Sequence, residues 1–123
     1  MDILLTDDDR EILDSLRRCL VARGHHVSTA CDGLEALQRM EEEAPDLVIS
    51  DIQMPRMDGL TFLKAARERF PEVSVVLMTG NREVATRAAV EGGNAQGYLE
   101  KPIKVEELFA CIADIEAQSH PQP

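Results

Sequence analysis

PDLVISD, residues 45–51, holds Leu47, Val48, Ile49 and Ser50 in an unbroken run that ends at an acid, Asp51. A run without polar alternation suits a strand covered on both faces, the environment of a parallel sheet. ILL (3–5) and VSVVLM (73–78) share this character, while HVST (26–29) and the weaker GYLE (97–100) suit edge or near-edge positions.

Segments of helical spacing fill the gaps. Ile12, Leu13, Leu16 and Leu20 form a stripe on a first helix over about residues 9–23, ending at Arg23-Gly24. Asp32 with Glu35 has the pattern of a capping box before a helix burying Leu34, Leu37 and Met40, which Pro45 ends. Asp58 caps a third helix with Leu60, Leu63 and Ala66. Val84, Ala85, Ala88 and Ala89 mark a fourth, and Leu108, Phe109, Ile112 and Ile115 a fifth. Strict strand–helix alternation with short connections predicts a single doubly wound α/β domain of (βα)5 type, with right-handed crossovers. The domain is expected over 1–118, with 119–123 (SHPQP) as a tail or the start of a linker.

Composition narrows the function classes. With 123 residues, 44% hydrophobic and 29% charged, the chain has a globular balance that argues against disorder and against a membrane protein. Its formal net charge of −10 disfavours direct nucleic-acid binding by this domain. Cys19, Cys31 and Cys111 are far apart and lack a CxxC pattern, which suggests reduced thiols buried as small hydrophobes in a cytoplasmic protein. No basic-then-apolar leader pattern opens the sequence, so secretion is not expected.

The polar residues at the strands' carboxyl ends are Asp7, Asp8 and Asp9, then Asp51, Thr79 and Lys101. In open α/β sheets this edge holds the ligand site, at the point where the winding reverses. Strand order 2-1-3-4-5 brings Asp7 and Asp8 beside Asp51, where three carboxylates repel unless a cation neutralises them. The donors are hard oxygens, and His25, His26 and His120 lie elsewhere in the sequence, so Mg2+, or Mn2+, fits better than zinc. A carboxylate beside such an ion can attack phosphorus to form an acyl phosphate, with Lys101 stabilising the transferring oxygens and the Thr79 hydroxyl answering the added charge. Asp9 is expected only to cap the first helix.

The sequence resembles the receiver (REC) domain of two-component response regulators. ILLTDDD, DLVISDIQMPRMDG, VVLMTG and GYLEKPI carry the resemblance, in the family's order, over about residues 2–117. It implies a flavodoxin-like fold and makes Asp51 the phosphoacceptor, Asp8 a direct metal ligand and Asp7 one acting mainly through water. The Gln53 backbone carbonyl is implied as a further ligand. Thr79 and Tyr98 are implied as switch residues coupling the site to the face of the fourth helix, fifth strand and fifth helix. Gln53 and Asn81 stand where side chains tune acyl-phosphate hydrolysis, and the Lys101-Pro102 bond is expected to be cis. Asn94 stands where glycine is usual, and Lys104 where an acidic or hydroxyl helix cap is common, with Glu106 and Glu107 compensating.

The resemblance implies a self-catalysing signalling module rather than a turnover enzyme. A histidine kinase or histidine phosphotransfer protein would be its donor and an output domain or protein its target, with phosphorylation-dependent homodimerisation open. A haloacid dehalogenase-type phosphatase is a competing reading, but Glu11 stands where its motif needs threonine. A flavodoxin-like flavin site would need a first turn that cradles phosphate, and three acids there would repel it. A degenerate, docking-only receiver conflicts with the complete residue set.

Overall fold

The strands β1 (Asp2–Thr6), β2 (His26–Ala30), β3 (Leu47–Asp51), β4 (Ser74–Thr79) and β5 (Gly97–Glu100) pair in parallel in the order β2-β1-β3-β4-β5. They belong to a computed structural model that describes residues 1–80 and 95–119. The helices among these residues are α1 (Arg10–Ala22), α2 (Gly33–Glu42), α3 (Gly59–Arg69) and α4 (Val105–Ser119). The helix expected around Val84–Ala89, together with Asn81 and Asn94, lies outside the described residues, as do residues 120–123 of the expected tail. Among the described residues no helix is long and apolar enough to cross a membrane.

Alternate residues of each inner strand feed two cores, which is why the runs had to be continuously apolar. Ile3, Leu5, Leu47, Ile49, Val76 and Met78 pack with α1 and α4 on one face. Leu4, Val48, Val75 and Leu77 pack with α2 and α3 on the other. The strands paired on one side only are β2 and β5, the two more polar runs.

The first three helix starts are each made by an acid, as expected. Asp9, Asp32 and Asp58 accept from Glu11 and Ile12, from Glu35, and from Thr61 N–H groups respectively. The return bond is donated by the N–H of Cys31, one residue before the cap, to Glu35 Oε2 at 3.0 Å. Lys104 precedes α4, and its carbonyl accepts from Leu108 N–H, with Glu106 and Glu107 in the first turn.

Three expectations need correction. Leu34 is exposed; the buried stripe of α2 is Gly33, Ala36, Leu37 and Met40, because two small residues let the helix approach the layer below. In α3 Leu63 and Ala66 are buried as expected and Phe62 joins them, while Leu60 is only partly covered. The three cysteines are half-buried rather than core residues. Phe109 is also only partly buried, and the Arg23 guanidinium covers its ring at 4.0 Å from the centroid.

Candidate functional site

β1 and β3 are neighbours, so the residues following them share the sheet's carboxyl edge. Asp7 is fully buried. Its Oδ1 accepts the N–H of Asp9 at 2.9 Å and its Oδ2 accepts from Lys101 Nζ at 2.8 Å. Asp8 is exposed to solvent. Asp9 turns away to cap α1, as expected, so the three consecutive acids have three environments.

Asp51 ends β3 and is only 7% exposed. Its Oδ2 accepts from Lys101 Nζ at 3.1 Å and its Oδ1 from the Gln53 N–H at 3.3 Å. α3 starts unusually close to this residue. A Cβ on Gly59 would stand 2.5 Å from the Asp51 carbonyl oxygen and 2.6 Å from Ile52 Cα, so the close approach of two backbones requires glycine there. Lys101 is delivered by β5: its N–H donates to the Thr79 carbonyl at 2.8 Å, and the following bond to Pro102 is cis.

Thr79 is buried at the end of β4. The β4–β5 register sets Tyr98 beside Leu77, two residues before Thr79, so Tyr98 and Thr79 stand on the same sheet face. Tyr98 is 36% exposed, and burial of its ring raises the hydroxyl pKa. Gln53 is exposed in the loop after β3.

Carboxylate oxygens of Asp7, Asp8 and Asp51 lie within 4.8 Å of one another, the one cluster of this kind among the described residues. Three carboxylates against the one Lys101 ammonium leave two formal negative charges. The imbalance shows in the titration of Asp51. Burial, then the charge of Asp7, raise its pKa above 3.8, and Lys101 and the Gln53 N–H offset only part of this. Burial disfavours the Lys101 ammonium, but its bond to Asp7 and the charges of Asp51 and Asp7 prevail and lift its pKa above 10.5. An all-oxygen, net-negative donor set of this size fits one hard divalent cation, which would make the cluster formally neutral.

Two features at this edge escaped the sequence reading. Arg56, in the loop after β3, bonds Asp32 through Nε at 2.9 Å and through Nη2 at 2.5 Å. Thr6 Oγ1, one residue before Asp7, is buried with no hydrogen-bond partner among the described residues.

Residues 3–113 match the family model of the response regulator receiver domain. The response regulator MprA of Mycobacterium leprae is 37% identical over 98% of this chain and 53% of its own length. This chain therefore spans about half the length of that relative. The receiver domain of an HD domain-containing protein from Pseudomonas fluorescens superposes with a TM-score of 0.89 at 32% identity, over 97% of this chain and 88% of that one. The chemotaxis response regulator CheY4 of Vibrio cholerae gives 0.84 at 29% identity, over 93% and 97%.

Proposed function

Because the chain belongs to the response regulator receiver domain family, we propose that Asp51 is the residue through which it takes up a phosphoryl group. The module is a phosphoacceptor of two-component signalling and not a turnover enzyme of the usual kind; the phosphatase and docking-only alternatives are not favoured. The observation that carries the assignment is the position of the buried Asp51 carboxylate, which shares one lysine with Asp7 in a net-negative cluster.

Asp7, Asp8, Asp51 and the Gln53 carbonyl would hold Mg2+, which when bound supplies positive charge to the transferring oxygens. An Asp51 carboxylate oxygen attacks phosphorus as the P–N bond of a donor phosphohistidine breaks, and the leaving imidazole nitrogen regains a proton. The acyl phosphate carries about −2 charge where the carboxylate carried −1. Lys101, already bonded to Asp51, is suited to follow the phosphoryl oxygens, and the Thr79 hydroxyl to donate to one of them. Movement of Thr79 would then be read at Tyr98 on the same sheet face. Gln53 and Asn81 would set the lifetime of the product. A histidine kinase or phosphotransfer protein as donor, an output domain or protein as target, phosphorylation-driven homodimerisation and a cytoplasmic setting complete the proposal. Within it, residues 1–118 form the receiver unit and 119–123 a tail or linker; α4 itself runs to Ser119.

The test is intact-mass measurement after incubation with acetyl phosphate and magnesium. Wild type should gain one phosphoryl group and Asp51→Asn none. An unmodified wild type that also fails to bind beryllofluoride would overturn the assignment.

A further inference from the structure

The loop from Ile52 to Asp58 has no regular secondary structure, yet it contains Gln53, whose carbonyl the proposed function uses. Its free run is tied down at the far end by a different part of the chain. Asp32, 24 residues earlier, accepts two N–H groups of Arg56 on Oδ2 while Oδ1 caps α2 through the Glu35 N–H at 2.9 Å. Next to it, Met57 sits on the helix's first residue. A Cβ on Gly33 would stand 3.0 Å from Met57 Cγ and 3.1 Å from its carbonyl oxygen. Arg56 itself has φ 65°, in the left-handed region that a non-glycine residue enters only when its surroundings compel it. The ion pair and the Met57 seat supply that compulsion.

Because β2 and β3 flank β1, this tie joins the two corners on either side of the strand that delivers Asp7 and Asp8. Asp32 is 5% exposed, so the carboxylate is a fixed anchor, although the Arg56 side chain itself is largely in solvent. We propose that the Asp32–Arg56 pair, with Met57 seated on Gly33, is a positioning clamp that holds the loop carrying the Gln53 carbonyl and thereby sets the affinity of the acidic cluster for its divalent cation. The inference rests on the proposed function for the role of that carbonyl. Arg56 touches neither cation nor phosphoryl group; it acts by narrowing the conformations the loop can occupy.

The experiment compares wild type, Arg56→Ala, Arg56→Gly, Asp32→Asn and the Asp32→Asn/Arg56→Ala double variant. Asparagine preserves the α2 cap, and glycine relieves the positive φ, so each keeps the fold while removing the pair. Magnesium binding is read by calorimetry, and the magnesium dependence of acetyl phosphate labelling is read by mass. The dissociation constant, and the magnesium concentration giving half-maximal labelling, should rise about fivefold in each single variant, below the tenfold or more usual for a group bonded directly to a ligand. Labelling at saturating magnesium should stay within about twofold of wild type, and the double variant should be no weaker than the singles. Unchanged magnesium affinity with only a lowered melting temperature, or additive losses in the double variant, would overturn the clamp. If wild type binds magnesium but takes no phosphoryl group, the function assignment fails, and calorimetry still decides the clamp.

Discussion

Two buried acids stand on the same edge of the sheet and titrate in opposite directions. At Asp32 burial pushes the pKa up, but N–H groups of Glu35 and Leu34 and the Arg56 guanidinium outweigh it and hold the carboxyl below 3.8. At Asp51 burial and the charge of Asp7 win over Lys101, and the pKa rises. The chain supplies Asp32 with all it needs, so that carboxylate is structural. It leaves Asp51 short of positive charge, and the deficit is what makes the cluster suited to a cation.

Breaking the comparison at its most strained point should have the largest effect. Lys101→Met leaves Asp7 and Asp51 buried without a counter-charge, and urea unfolding without divalent ions should show a loss of about 2–4 kcal/mol. Part of that loss should return with magnesium, since the cation answers the same charges. The raised pKa of Lys101 carries a sign. Its stabilisation is fully present below the unfolded value of 10.5 and disappears as pH rises through the higher folded value.

On the other side, Asp32→Ala removes a helix cap and an ion pair together and should cost about 1–2 kcal/mol at neutral pH. The folded pKa of Asp32 is lowered, so its contribution is present above 3.8 and fades as pH falls through the folded value. The gap between variant and wild type in urea unfolding should therefore narrow in strong acid. The smallest effect sharpens the comparison from next door. Thr6→Val removes a buried hydroxyl that has no partner among the described residues, so the same unfolding assay should show a gain of about 1 kcal/mol.

Much of the cluster was legible in the sequence because each of its residues lies just beyond the end of an apolar run. Once LVIS and ILL are parallel neighbours, Asp7, Asp8 and Asp51 must meet, and the all-oxygen chemistry follows from their type. The Asp32–Arg56 pair was not legible, since Arg56 reaches Asp32 only through a left-handed backbone that no local residue signals. Asp32 was read as a cap, which is half of what its two oxygens do. The buried face of α2 does not follow its large residues. Gly33 and Ala36 are buried because they are small, and Leu34 is left outside.

The charge deficit at Asp51 is tested most directly by thermal unfolding of wild type and Asp51→Asn at neutral pH, with and without magnesium. A folded pKa raised above 3.8 means that ionised Asp51 costs stability at every pH above that folded value. Without magnesium the asparagine variant should therefore melt higher than wild type. Magnesium should lift wild type more than the variant and narrow the gap. A wild type indifferent to magnesium, or a variant that melts lower than wild type in its absence, would contradict the account.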